Sequence, residues 1–181
     1  IPIGLPTDGP RRCDVAARKL LGPGQGSRVF PAPCRATLDG CSYSQCAELN
    51  RAASGKRISK QTYGIIPKIR EVDRAIRPAL QARVREAHPE GCFRVLNGTP
   101  LQYSKKTVAG QRERLQILAA SGLRFDPTLE RQRLGRTRIQ MDDIIDAAAC
   151  LLTARRIAQR CECVLGDLAV DGRGLRMEIV V

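Results

Sequence analysis

The strongest constraint on the fold is the segment 140–159, with the sequence QMDDIIDAAACLLTARRIAQ. It begins with acidic residues, continues almost wholly as Ile, Ala and Leu, and contains no Gly or Pro. This pattern predicts one long helix. A helix with so apolar an interior must be largely buried against other elements. The chain therefore needs a core large enough to enclose it.

The rest of the chain predicts a mixture of helices and strands. We expect four further helices, over 11–21, 42–54, 64–80 and 107–121. Three of them end just before a Gly, whereas 64–80 shows apolar residues at helical spacing, with Pro67 near its start. Strand-like patterns occur at 1–6 and 83–88, and 168–181 predicts a hairpin or a terminal strand. Segment 91–98 is compatible with either structure. The predicted fold class is therefore α/β.

The size and the apolar content favour one domain. A chain of 181 residues with 43% hydrophobic residues can build one core. Only 3% of the residues are aromatic and Trp is absent, so aliphatic side chains must form that core. The scarcity of rings argues against binding single strands by base stacking.

The charge indicates a polyanionic partner. Lys and Arg number 31 against 18 Asp and Glu, which gives a formal net charge of +13. Such an excess is typical of proteins that bind nucleic acid. The alternative is an Arg-rich surface without a specific partner, because the basic residues are spread along the whole chain.

The eight cysteines do not form a zinc motif, since no two of them have CxxC spacing. Cys150 lies in an apolar helical run and is expected to be a buried thiol. With no signal peptide and no apolar run of the roughly 20 residues that span a bilayer, we expect reduced thiols and a cytoplasmic protein.

Three carboxylates at the start of the long helix are the first candidate site. Asp143 and Asp146 are three residues apart, and Asp142 and Asp146 are four apart, so either pair shares one helix face. Neighbouring carboxylates repel, and Mg²⁺ or Mn²⁺ would relieve that repulsion. The alternative is that acids in a first turn simply cap the helix, which explains Asp146 less well.

The segment REAHPE is the second candidate. Glu86 and His88 would lie on the same side of an extended segment that ends at Pro89, with Glu90 beside them. Acids and imidazoles at strand ends often perform chemistry in α/β folds. The alternative is a solvated strand end.

Basic residues near the predicted helix 107–121 are candidates for phosphate contacts. Lys105 and Lys106 precede it, and Arg112 and Arg114 lie in its first turns. The alternative is a solvated helix face. The Gly- and Pro-rich segment 22–33 lacks the GK[ST] that completes a phosphate-binding loop and is interpreted as a structural loop.

The order and spacing of several short motifs resemble the family called domain of unknown function 429 over nearly the whole chain. The motifs are IPIGLP, RRCDVAARKLLGP, SRVFPAP, LNRAASGK, SKQTYGIIPKIREVD, EAHPE, SKKT, GQRERLQIL and DDIIDA. The resemblance implies a single RNase H-like domain over 1–181, in which helices flank a mixed sheet. It also implies that strands normally preceding IPIGLP are missing, so the domain is expected to be incomplete at its N-terminus.

The resemblance further implies a nuclease that depends on Mg²⁺ or Mn²⁺. The expected catalytic residues are Glu86, His88, Asp143 and Asp146, and the expected metal ligands are Glu86, Asp142, Asp143 and Asp146. Two alternatives stay open: an ATP-using phosphotransfer enzyme and a non-catalytic nucleic-acid-binding module. The sequence does not distinguish DNA from RNA as the substrate.

Overall fold

The computed structural model describes residues 1–135 and 139–181. In these residues the chain forms seven α-helices and two short strands: α1 Arg12–Leu21, α2 Tyr43–Ser54, α3 Lys60–Ala75, α4 Pro89–Asn97, α5 Val108–Ala120, α6 Pro127–Leu134, α7 Met141–Ala158, β1 Val164–Leu165 and β2 Ile179–Val180. Short 3-10 helices cover Gly26–Arg28, Arg35–Asp39 and Pro78–Ala82.

The expectation of an RNase H-like α/β fold is wrong. Helices account for 56% of the structure, and no mixed sheet is present in the described residues. The sheet there consists of β1 and β2, paired antiparallel over two residues each. The apolar segment 1–6 is not a strand of this sheet. Two of its backbone N–H groups donate hydrogen bonds to side-chain carboxylates instead of to the carbonyl groups of a neighbouring strand. The Ile3 N–H donates to Glu86 Oε2 at 2.7 Å, and the Leu5 N–H donates to Asp171 Oδ2 at 3.0 Å.

Local capping signals explain most of the helix ends. Helix α1 ends at Leu21 before Gly22, and α2 ends before Gly55, which adopts the left-handed conformation with φ of 74°. Helix α5 begins after Thr107, whose Oγ1 accepts a hydrogen bond from the Gly110 N–H at 3.1 Å. These predicted boundaries are confirmed.

Other boundaries differ from the prediction. Helix α3 begins at Lys60 after the capping residue Ser59, so Pro67 lies inside it rather than near its start. The prediction of a strand over 83–88 is wrong, because this segment belongs to neither β1 nor β2. Its last residue, His88, caps helix α4. Pro89 is the first residue of that helix, a position where the missing N–H costs nothing. Helix α6 was not predicted.

The chain divides into two compact units. The first comprises residues 1–86 and 164–180, and the second comprises residues 87–163 with Val181. The first unit contains α1–α3 and both strands, and one of its apolar clusters joins Ile3, Ile76 and Leu175. In the second unit α7 packs against α4, α5 and α6. The predicted burial of α7 is confirmed on one face, whereas Leu151 on another face is 54% exposed.

Candidate functional site

Two carboxylates of α7 converge on one lysine in the second unit. The Lys105 Nζ lies 2.6 Å from Asp146 Oδ2 and 3.5 Å from Asp142 Oδ2. The Lys106 Nζ lies 2.7 Å from Asp142 Oδ2. The spacing of four residues puts both acids on one face of α7, as the sequence suggested. We call Lys105, Lys106, Asp142 and Asp146 the acid–lysine cluster.

A close backbone contact holds the lysines against α5. A Cβ added to Gly110, in the first turn of α5, would lie 2.0 Å from the Ser104 backbone oxygen. Only glycine admits that approach. The Thr107 N–H also donates to the Ser104 oxygen at 3.0 Å. The turn that carries Lys105 and Lys106 is therefore tightly joined to α5.

Asp146 is the carboxylate of the cluster whose pKa is raised rather than lowered. Burial raises its pKa, the nearby charges of Glu90 and Asp142 add to that rise, and Lys105 opposes it. Its Oδ1 is buried and has no hydrogen-bond partner among the described residues. One oxygen of Asp146 thus binds Lys105, while the other retains its full capacity to accept a donor or a cation.

Asp142 and Lys105 are both stabilised in their charged forms. Burial by itself raises the pKa of Asp142, but the hydrogen bond from Lys106 and the charges of both lysines outweigh it and leave the pKa lowered. Burial by itself lowers the pKa of Lys105, but Asp146 and Asp142 outweigh it and leave the pKa raised. The cluster therefore holds an ammonium between two anionic groups.

Glu90 and Arg114 form a buried ion pair in the same unit. The Arg114 Nη2 donates to both Glu90 oxygens, at 2.7 and 2.9 Å, and the guanidinium lies 5.6 Å from the centre of the Phe93 ring. Arg114 also donates to the Gly110 oxygen at 2.9 Å and is only 1% exposed. Arg114, predicted to contact phosphate, therefore pairs with Glu90 inside the protein. Arg112, which was predicted to do the same, is exposed on α5.

Glu86 lies in the first unit, in a separate ion pair. Its Oε1 and Oε2 accept hydrogen bonds from Arg11 at 2.8 and 2.7 Å, and Oε2 also accepts the Ile3 N–H. Arg11 binds Asp14 as well. These bonds engage both oxygens of Glu86.

His88 and Asp143 both act as helix caps. The Nδ1 of His88 accepts the Gly91 N–H at 3.3 Å at the start of α4. Asp143 is exposed, and its carboxylate accepts the Gln140 N–H at 3.0 Å within a capping box. The structure therefore gives the capping role to Asp143, and it brings Asp142 together with Asp146.

Helix α7 offers two of the carboxylate ligands that a hard divalent cation such as Mg²⁺ prefers, Asp142 and Asp146. The described residues contain no group of three or more His, Cys, Asp and Glu side chains that could hold a metal ion. Mg²⁺, however, commonly binds through one or two carboxylates and completes its shell with waters and substrate phosphates. Asp142 and Asp146 supply that chemistry, and the unpartnered Oδ1 of Asp146 is a suitable ligand atom, whereas Lys105 competes for the same carboxylates.

Sequence reasoning missed the partners of these acids. Lys105 lies 41 residues before Asp146, and Glu90 lies 24 residues before Arg114. No local pattern in a single sequence marks such pairs. One signal for the Arg114 pair was present in the sequence. Arg114 is followed by Leu115, Ile117 and Leu118, and an Arg among apolar helix residues indicates a buried charge that needs an acidic partner.

Comparison with known proteins identifies the family of the chain. In residues 1–135 and 139–181, none of the helices combines the length and apolarity needed to cross a membrane. The search of curated proteins gave no match, and the search of solved structures gave none. A family model described as "Protein of unknown function (DUF429)" matches residues 1–169. The chain therefore belongs to the DUF429 family.

Proposed function

We propose that the chain hydrolyses phosphodiester bonds of nucleic acid with the help of Mg²⁺ or Mn²⁺, at the acid–lysine cluster. The observation that carries the proposal is the convergence of Asp142 and Asp146 on a single cation, Lys105, beside a carboxylate oxygen that is buried without a partner. Two anionic groups and two cations in one place can bind both a metal ion and a phosphate.

Each residue of the cluster has a distinct role in the proposal. Asp142 and Asp146 would hold the metal ion, which would supply a Lewis acid for the phosphate. Lys105, a charged ammonium beside these two acids, would contact a phosphate oxygen of the substrate. Lys106, which is exposed, contacts a neighbouring phosphate.

The surroundings of the cluster support a polyanionic substrate. The net charge of the chain is +13, and Arg112 is exposed on α5, the helix that follows Lys105 and Lys106 in the chain. We leave Glu86 and Arg114 out of the proposed chemistry, because each is engaged by a buried partner of opposite charge. His88 and Asp143 are left out because their side chains cap helices.

The test is a cleavage assay on labelled single- and double-stranded DNA and RNA, with Mg²⁺, Mn²⁺ or a chelator. We expect cleavage only with metal, and a loss of more than about 10-fold for Asp146→Asn and Asp142→Asn. Asp143→Asn is the matched control, since it removes the same charge from the same helix and can still cap it. Cleavage that persists in Asp146→Asn would refute the assignment of the site.

Binding without cleavage under every metal condition would refute the hydrolase. Such a result would favour the non-catalytic nucleic-acid-binding module. To separate the two, binding is measured by fluorescence anisotropy on the same substrates and variants. The hydrolase predicts that Asp146→Asn binds substrate but does not cleave it, whereas a binding module shows no difference between wild type and this variant.

A further inference from the structure

A cavity in the first unit lies between residues 9–10, the segment 31–34 and the connection from α2 to α3. It encloses about 140 Å³ and is partly open to solvent. The apolar part of its wall consists of Pro10, Pro31, Ala32 and Ile58. An apolar space of about 150 Å³ holds one molecule of the size of benzene. The cavity therefore admits one small ring, whereas larger ligands such as nucleotides need sites of roughly 300–1,000 Å³.

The buried amide of Asn50 in this wall has no hydrogen-bonding capacity left for a ligand. Its Oδ1 accepts the Cys34 N–H at 2.8 Å and the Thr37 hydroxyl at 3.0 Å. Its Nδ2 donates to the Ser54 Oγ at 3.0 Å and to the Lys56 carbonyl oxygen at 2.7 Å. Two donated and two accepted bonds engage the whole amide. A polar group placed against it would lose its water without gaining a partner, so this wall favours an apolar ligand body.

The same hydrogen bonds join the parts of the wall. Asn50 on α2 is bonded to Cys34, which precedes that helix, and to Lys56, which follows it. At the start of α3, the Ser59 and Thr62 hydroxyl oxygens lie 3.0 Å apart, and the Ser59 Oγ also accepts the Thr62 N–H. The site is therefore largely formed before a ligand enters, and little ordering of the chain opposes binding.

The open side of the cavity carries positive charge. Lys56 and Arg57 line the cavity and are both exposed. Arg57 is shared with Glu48, whose Oε1 lies 3.1 Å from its Nη2. Within residues 1–135 and 139–181, Lys56 forms no ion pair, and the described wall of the cavity contains no acidic residue. An anionic group at the mouth would therefore meet an available ammonium.

We propose that this cavity binds a small monocarboxylate whose body is a single apolar ring. The ring lies against Pro10, Pro31 and Ile58, where no polar group of the ligand is needed. The carboxylate stays at the mouth and pairs with the Lys56 ammonium. The site lies within residues 9–62 of the first unit, whereas the acid–lysine cluster belongs to the second, so the proposal does not depend on hydrolase activity.

The test uses benzoate as the probe and benzamide, a neutral molecule of the same shape, as the matched ligand. Both are titrated into the whole chain labelled at its Ile and Ala methyl groups, and binding is followed by NMR. We expect saturable shifts of the Ile58 and Ala32 methyl signals with both ligands. Benzoate should bind about 5-fold more tightly, as a partly exposed charge pair provides.

Two substitutions separate the charge from the cavity. Lys56→Gln should remove the preference for benzoate and leave the affinity for benzamide unchanged. Lys68→Gln is the matched control, because it removes an exposed lysine of α3 that does not line the cavity, and it should keep the preference. Ala32→Leu, which places a larger side chain in the wall, should weaken both ligands more than about 10-fold. Circular dichroism verifies that each variant is folded.

Two results with the unsubstituted chain would overturn the proposal, whatever the variants do. One is the absence of shifts at Ile58 and Ala32 in millimolar benzoate, which would show that the cavity does not take the ring. The other is equal affinity for benzoate and benzamide, which would show that the cations at the mouth do not select a carboxylate.

Discussion

Arg11 and Glu86 are buried together and joined by two hydrogen bonds, although 75 residues separate them in the chain. Glu86 also accepts the Ile3 N–H, and Arg11 donates to the Ile3 and Gly4 oxygens. The pair therefore binds the backbone of the N-terminal segment 1–6, where a neighbouring strand would otherwise do so. Breaking it would leave a buried charge and unpaired peptide groups.

We expect Glu86→Gln to lower the free energy of unfolding by about 3–5 kcal/mol, because it leaves the Arg11 charge buried without its main partner. Urea denaturation followed by circular dichroism measures the change. Glu130→Gln is the control, since the Arg133–Glu130 pair is exposed and should contribute at most about 1 kcal/mol. Equal effects of the two substitutions would contradict the structural role of Glu86.

Gly110→Ala should destabilise the second unit, although alanine is the better helix former. The new Cβ would meet the Ser104 backbone oxygen, and displacing that turn should cost about 1–3 kcal/mol. Gly64→Ala in α3 is the matched control, because a Cβ there meets nothing within 4 Å and should gain about 1 kcal/mol. Thermal unfolding compares the two variants. A stabilised Gly110→Ala would show that the turn is not held against α5.

Asp142 and Asp146 should have opposite effects on stability at neutral pH. The folded pKa of Asp142 is lowered, so its contribution is present above the ordinary carboxyl value of 3.8 and is lost as the pH falls through the folded pKa. The folded pKa of Asp146 is raised, so its ionisation costs stability once the pH rises through that pKa.

At pH 7, Asp142→Asn should therefore lose up to about 1 kcal/mol, whereas Asp146→Asn should equal or exceed the wild type. Both differences should shrink at pH 3, because this pH lies below the ordinary carboxyl value of 3.8 and the carboxyls of the unfolded chain are then mostly protonated. Urea unfolding at the two pH values measures them. A large loss for Asp146→Asn at pH 7 would mean that its bond to Lys105 outweighs the cost of burying the charge.

Mg²⁺ or Mn²⁺ should raise the Tm if the acid–lysine cluster binds the ion. At about 100 times the dissociation constant, mass action adds about 2.7 kcal/mol to the stability of the folded chain. Asp146→Asn and Asp142→Asn should abolish most of this shift, and Asp143→Asn should keep it. Differential scanning calorimetry provides the comparison, and a full metal response in Asp146→Asn would exclude this metal site.

Nucleic-acid binding should weaken with salt, with a slope set by the number of phosphates contacted. The double variant Lys105→Gln, Lys106→Gln should reduce the slope of log K against log salt by about 1–2. The charge-matched control is Lys60→Gln, Lys68→Gln, which removes two exposed lysines from α3. Anisotropy titrations at several salt concentrations test this, and identical slopes for both variants would remove the lysines from the interface.

The parts of this fold that the sequence predicted are those governed by neighbours in the chain. Thr107 and Gly55 mark helix ends because a cap acts within one turn. The absence of a mixed sheet could not be anticipated, because the N–H groups of Ile3 and Leu5 are satisfied by carboxylates far along the chain. Pro89 was interpreted as the end of a strand, yet a proline is equally suited to begin a helix.

The candidate site shows the same division. Helical spacing predicted that Asp142 and Asp146 share a face of α7, since that depends only on 3.6 residues per turn. It could not predict that Asp143 caps the helix while Lys105 binds the other two acids. Arg114, predicted to contact phosphate, is buried because Glu90 requires a partner, and no local signal reveals that requirement.

The second unit is inserted into the first along the polypeptide, and this affects the order of folding during synthesis. The second unit is complete, apart from Val181, once residue 163 has left the ribosome, whereas the first still lacks residues 164–180. The bond from the Leu5 N–H to Asp171 spans 166 residues and cannot form earlier. Nascent α1–α3 must therefore persist without these last contacts while the inserted unit folds.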